Sequence, residues 1–339
     1  MNSYQRLMRR LRGEPVDRPP NLDIIMNFAP HYIGETMKPY YLDYRVLVAS
    51  NLAVQPVFSF DIVQAISDPY REAYDLGSEI EFPDDGMPML MQPAILDYDD
   101  LNKLNFVAPE NGKRMSDRLE AIRSFREQVG GQVPIMGWVE GALAEAADVR
   151  GINELMVDLV IEPAWVEELL EKCCEVEIAF ARAQVAAGAD IIGLGDAVAS
   201  LVNVEHYQKY ALPYEKRIFD AVHELGALTR LHICGRTAHI TEYMVHSGAD
   251  IIDIDWMVDF KHAAETIGDR AAVCGNFDPV TVMLQGTPDE VRAATHKCYQ
   301  VGGARWLSAG GCEIPDGTPH ENLYAQAEML KEIGARQKV

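Results

Sequence analysis

The residues with the clearest chemical potential are a histidine and two cysteines. His232-Ile233-Cys234-Gly235 closes a short apolar run. Side chains along a strand alternate between faces, so His232 and Cys234 point one way and Ile233 the other. A second thiol, Cys312, follows Gly310-Gly311 at the end of another such run. One imidazole and two thiolates form the soft donor set that selects Zn2+, and three protein ligands leave a coordination position open for chemistry. Taken singly, each residue is explained as well by packing, because cysteine is among the most buried residue types. Their convergence at the ends of apolar runs is what points to a metal. Cys274 sits deeper in its own run and is expected in the core, and Cys173, Cys174 and Cys298 fall in helical patterns.

Carboxylates and amides at other run ends are candidates for the rest of a site. Glu140 is the one acid in Gly137-Trp138-Val139-Glu140-Gly141. Among apolar neighbours a carboxylate must find a partner or take up a proton. Glu140 is therefore expected to be catalytic, either as a fourth metal ligand that yields to substrate or as a direct substrate contact. Asp196 and Asn276 are expected to bind substrate; Asn27, Asp68, Asp255 and Asp278 occupy comparable positions. Asp190 and Asp250 each follow a Gly-Ala pair that ends a helical pattern, and are expected to be structural.

Eight apolar runs would carry these residues: 21–28, 60–66, 133–141, 189–197, 228–235, 249–256, 271–278 and 304–311. Near-continuous apolar runs of this length suit strands buried on both faces of a parallel sheet. Amphipathic helical segments separate them, several closing on a glycine such as Gly188, Gly226 or Gly248. Eight repeated βα units predict an α/β protein of the (β/α)8 TIM-barrel class, whose active sites lie at the C-terminal ends of the strands. About 65 residues separate the second and third runs, too many for one crossover helix, so an insertion with a hairpin and a helix is expected there as one wall of the cleft. No Ser/Gly-rich linker breaks the chain, and residues 1–339 read as a single domain.

Fifty-two acidic residues against 30 basic ones give a formal net charge of -22, which disfavours nucleic acid and anionic membrane surfaces as partners. No apolar run is long enough to span a bilayer. Six cysteines in 339 residues are too sparse for a disulfide framework and fit a reduced, cytoplasmic protein.

With these residues in view the sequence resembles the uroporphyrinogen decarboxylase superfamily, and within it the zinc-dependent corrinoid methyltransferases of the methylcobamide:coenzyme M methyltransferase type. The resemblance spans essentially the whole chain. It rests on Val16-Asp17-Arg18-Pro19-Pro20, Ser67-Asp68-Pro69, His232-Ile233-Cys234-Gly235, Cys274-Gly275-Asn276-Phe277-Asp278-Pro279 and Gly311-Cys312-Glu313-Ile314-Pro315. The family's zinc pattern, His-x-Cys with a distant Cys, is filled by His232, Cys234 and Cys312. The resemblance implies Zn2+ and a corrinoid (methylcobalamin) as methyl carrier, a corrinoid carrier protein as partner, and a small-molecule methyl donor or acceptor. Coordination deprotonates a thiol, and the resulting nucleophile would attack the methyl group on cobalt. A methyltransferase that demethylates an ether, and a non-catalytic tetrapyrrole-binding protein, are the alternatives. The decarboxylase itself is disfavoured: where it carries an arginine-rich segment after the first strand, this chain has Met26-Asn27-Phe28-Ala29-Pro30-His31.

Overall fold

The computed structural model describes residues 1–104 and 106–336. Its main sheet is six parallel strands in the spatial order β1 (Val63–Gln64), β4 (Ile135–Glu140), β5 (Ile191–Gly195), β6 (Leu228–His232), β7 (Ile251–Asp253) and β8 (Ala272–Cys274). Every residue of β4 and β5 is buried, as strands covered on both faces require. The helices between consecutive strands, among them Lys113–Val129, Pro163–Ala187 and Leu212–His223, pack on the outer side. The inner side gathers its own apolar cluster, to which Leu22, Ile24, Met136, Trp138, Ile191 and Leu307 contribute. Cys274 is fully buried in that cluster, as expected.

The first and last expected strands are barely strands. Residues 21–28 and 304–311 carry only the parallel bridges Asn21–Ser308, Cys274–Leu307 and Phe277–Gly310, and a helix starts at Phe28. Two carboxylates account for this. Asp61 accepts the backbone N–H of Asn21 at 2.8 Å, and Asp23 accepts that of Gly310 at 2.8 Å, so side chains take donors that a regular ladder would use. Backbone bonds nevertheless run from Leu22 N to Ser308 O at 2.8 Å and from Asp61 N to Asn21 O at 2.7 Å, linking segment 20–22 to both neighbours. The Arg-Pro-Pro start is structural here: Arg18 and Arg6 both pair with buried Asp61 at 2.6 Å.

Asp190 and Asp250 behave as expected. Asp190 accepts from Ile135 N at 2.9 Å and Asp250 from Thr229 N at 2.9 Å, so each ties the start of its strand to a neighbour. Gly188 and Gly248 precede them with φ of 117° and 85°, where a side chain would be strained. The stretch between β1 and β4 holds the antiparallel hairpin β2 (Glu79–Glu81) and β3 (Met89–Gln92), then the helix Lys113–Val129. Among the described residues no helix is long and apolar enough to cross a membrane.

Register does the positioning. Glu140 pairs with Gly195, and Gly195 with His232, so these three form one row at the strand ends. In-register residues of a parallel sheet point to the same side, which sets Glu140 and His232 two strand spacings apart, roughly 10 Å between backbones. Gly195 keeps the space between them open: a Cβ there would stand 3.1 Å from Glu140 Oε2.

Candidate metal centre

His232, the last residue of β6, and Cys234 are both partly exposed, while Ile233 between them is buried, the alternation expected of a shared face. Cys312 arrives on the loop after residue 310, with its Sγ 3.8 Å from His232 Nε2. Two donors of a tetrahedral zinc with bond lengths of 2.0–2.1 Å to nitrogen and 2.3 Å to sulfur lie about 3.6 Å apart. The separation therefore suits a shared ion, and all three residues line one cavity of about 220 Å³.

The surrounding hydrogen bonds fix these donors. His232 Nδ1 contacts Asp253 Oδ2 at 2.8 Å, which directs Nε2 toward the thiols. Burial alone would lower the imidazole's basicity; Asp253 and the two nearby cysteines more than offset this and raise it well above the usual value. Asp253 is in turn gripped by Arg230 Nε at 2.9 and 3.0 Å. Burial pushes the Asp253 carboxyl up, yet Arg230 and His232 hold it below its ordinary range. After Cys234, Gly235 N donates to Asp255 Oδ2 at 2.8 Å. Before Cys312, Gly311 passes so close to the Trp256 backbone that a Cβ would lie 2.2 Å from its nitrogen. Any side chain at 311 would push the Cys312 loop away.

Three carboxylates share the cavity with the triad. Asp68 is paired with Arg114, which outweighs burial and keeps its carboxyl low. Glu140 is pushed up to about 8 by burial, with Arg71 opposing; Arg71 Nη2 donates to its Oε1 at 2.8 Å. Glu313, next to Cys312, is pushed up to about 7 by burial and accepts from Asn27 N at 2.5 Å. Ile24, Met26, Ile66 and Trp138 form the apolar wall, and no lysine or arginine is among the lining residues.

Glu140 thus joins the triad, but the two expected substrate contacts do not. Asp196 is fully buried behind the lining, its carboxylate filling the space beside Gly141. Asn276 spends its amide on the carbonyls of Asp255 and Val258, at 3.1 and 2.9 Å, and lines a different cavity. Nor does the hairpin of residues 79–92 wall the cavity. Its loop lines a separate cavity, where His31 bridges Asp85 and Asp316 at 2.8 Å each.

Sequence reasoning passed over Asp253, Arg230, Arg71 and Glu313. The first two carried a usable signal. Arg230 precedes His232 by two positions and so shares its face, and an arginine inside an apolar strand requires an acidic partner nearby.

Residues 2–333 match the family model described as Uroporphyrinogen decarboxylase (URO-D). The methylcobamide:CoM methyltransferase MtbA of Methanosarcina mazei is 33% identical over 336 residues, covering 96% of this chain and 97% of that protein. The uroporphyrinogen decarboxylase of Trichormus variabilis is 28% identical over 345 residues, 96% of each. A solved methyltransferase from Methanosarcina mazei superposes with a TM-score of 0.90 at 26% identity, covering 98% of this chain and 99% of that one. A B12-independent methionine synthase from Shewanella sp. W3-18-1 shares the fold, with a TM-score of 0.58 at 13% identity over 93% of this chain and 98% of its own. Matched along nearly its whole length by the model, the relatives and the first of these structures, the chain belongs to the uroporphyrinogen decarboxylase (URO-D) family.

Proposed function

We propose that this chain is a (β/α)8-barrel methyltransferase that moves a methyl group between a corrinoid and a small thiol activated on Zn2+ held by His232, Cys234 and Cys312. The observation that carries the reading is the 3.8 Å approach of Cys312 Sγ to His232 Nε2, with Cys234 lining the same cavity. Segments 21–28 and 304–311 serve as the first and last strands of the barrel, bonded through Leu22 and Ser308. The likeness to the methylcobamide:CoM methyltransferase MtbA supports the corrinoid, and with it a corrinoid carrier protein docking over the mouth.

Zinc held by these ligands would supply Lewis acidity that keeps a substrate thiol deprotonated at neutral pH. The chain's residues do the rest. Asp253 holds the imidazole in the tautomer whose Nε2 is free to ligate. The thiol proton needs an acceptor within the cavity, and Glu313, next to Cys312 in the lining, is a carboxylate placed to take it. Glu140 has Oε1 committed to Arg71, leaving Oε2 to act as exchangeable fourth ligand or substrate contact. Ile24, Met26, Ile66 and Trp138 keep water from the sulfur. Asp196 and Asn276 shape the strand ends and touch no substrate in this scheme.

Decarboxylation of a porphyrinogen fits poorly. A cavity of about 220 Å³ falls below the ~300–1,000 Å³ of drug-sized ligand sites. A polycarboxylate there would meet Asp68, Glu140 and Glu313 with no lysine or arginine lining the space. The test is methyl transfer from methylcobalamin to a panel of small thiols, alongside zinc analysis of the purified protein. Thiol-dependent loss of the methylcobalamin spectrum is expected. Turnover with S-adenosylmethionine and none with a corrinoid would refute the reading.

A further inference from the structure

Behind the mouth, three helices of the outer layer each turn a glutamate toward one point: Glu72 from Arg71–Asp75, Glu145 from Ala142–Arg150 and Glu177 from Pro163–Ala187. One carboxylate oxygen from each lies within 4.8 Å of the others. All three residues are 0% exposed, and among the described residues none of their six oxygens accepts a well-formed hydrogen bond; Glu72 has the Arg71 guanidinium beside it. Cys173, one helical turn before Glu177, has its thiol raised first by burial and then by Glu145 and Glu177. The guanidinium at hand is that of Arg71, and it is already divided. Its Nη1 donates to the Asp68 carbonyl, Nη2 to Glu140, and Nε lies 3.4 Å from Glu72. One positive charge therefore stands against four buried carboxylates, Glu72, Glu140, Glu145 and Glu177. An unpaired carboxylate in such a place costs several kcal/mol or more, so neutralising partners are required.

Of the three, Arg71 faces Glu72 alone, so Glu145 and Glu177 still need protons or a cation. A cation answers all three together. Oxygens bound to one hard ion at 2.0–2.6 Å lie at most about 5 Å apart, and this group meets that limit. Carboxylate donors select hard ions, in contrast to the imidazole and thiolates at the mouth. We propose that Glu72, Glu145 and Glu177 form a second metal site, for a hard divalent cation of the Mg2+, Mn2+ or Ca2+ class. Glu72 then connects this ion through Arg71 to Glu140, so that the buried ion helps fix a carboxylate of the mouth.

The proposal is independent of methyl transfer, and Mn2+ tests it directly. Wild-type protein, stripped with chelator and titrated with Mn2+ under electron paramagnetic resonance, should bind one ion per chain. Mn2+ should also raise its melting temperature. Glu145→Gln and Glu177→Gln should each weaken Mn2+ binding at least tenfold while retaining zinc. Cys234→Ala should do the reverse, losing zinc and keeping Mn2+. Absence of stoichiometric Mn2+ binding to the wild type overturns the site, whether or not the variants fold. So does Mn2+ binding that survives both glutamine variants, or that is lost with Cys234→Ala. Glutamine variants that melt at or above the wild type without Mn2+ dependence would show that the cluster is held by protons.

Discussion

At the strand ends His232 is held by Asp253, Asp253 by Arg230, and the loop after Cys234 by Asp255, so the imidazole and that loop are anchored within the chain. In the helix layer behind, Glu72, Glu145 and Glu177 are more deeply buried, yet among the described residues only Arg71, beside Glu72, offers them a charged donor. The mouth groups an imidazole and two thiols beside an open cavity; the helix layer groups three carboxylates closed off from solvent. Arg71 reaches both, contacting Glu140 on one side and Glu72 on the other. The difference teaches that burial alone does not identify a prepared site. A ligand set near solvent is oriented by bonds from outside it, whereas a fully buried acidic cluster must be neutralised from within, by protons or by a cation.

The largest effects should come from removing the soft donors. Cys234→Ala or Cys312→Ala should take zinc from about one per chain to well below half. Methyl transfer should fall at least about 10³-fold, roughly 4 kcal/mol in the barrier, with the far-ultraviolet circular dichroism unchanged. Metal analysis and methylcobalamin turnover read both. Full zinc in either variant would erase the contrast between the two regions, because the mouth would then not be where the soft ion sits.

Weakening the support of the mouth should be milder. Asp253→Asn keeps the shape but loses the charge between Arg230 and His232, and zinc affinity should drop by about 10–100-fold. Competition with a chromophoric chelator measures it. An unchanged affinity would mean that the hydrogen bond to Nδ1 does not prepare the ligand. Glu140→Gln should leave zinc bound by three ligands and alter thiol KM or turnover by about tenfold, near 1.4 kcal/mol. Wild-type kinetics in that variant would remove Glu140 from the mechanism and leave Arg71 linking only structural groups.

Legibility in the sequence followed how local each signal was. His232 and Cys234 could be read because strand alternation works over two residues, and Cys312 because glycines mark its loop. Glu140 stood out as a lone acid in an apolar run. The middle strands were legible for the same reason, whereas strand character faded at 21–28 and 304–311, where Asp61 and Asp23 capture backbone donors from distant segments. Asp196 and Asn276 carried no such local signal for their orientation. Both sit at strand ends, but which way a strand-end side chain turns depends on loops that the run does not encode. Glu72, Glu145 and Glu177 looked like ordinary helical acids, since their convergence depends on how three helices pack.

An effect read in stability and not in activity concerns another buried acid of the helix layer, and it separates cation-type clusters from proton-type ones. Glu215 is fully buried; Tyr207 Oη donates to its Oε2 at 2.8 Å, and its other oxygen has no partner. Burial pushes the Glu215 carboxyl up to about 8, and burial together with Glu215 raises that of Asp196. An unfolded glutamate titrates near 4.3. Between about 4.3 and 8 the native chain therefore holds a proton that the unfolded chain releases, so this group makes stability fall as pH rises through that window. Glu215→Gln carries no charge in either state and removes this group's share of the slope, leaving that of Asp196. Its melting temperature should match the wild type near pH 5 and exceed it by a few degrees near pH 8.5. Scanning calorimetry across that range tests this, and a difference that stays constant with pH would show that the carboxyl is not protonated in the native state. Glu177→Gln, in contrast, should lower the melting temperature when Mn2+ is present, because there glutamine removes a ligand. Opposite signs for the same substitution at two fully buried glutamates would separate an acid that keeps its proton from one that gives it up to a cation.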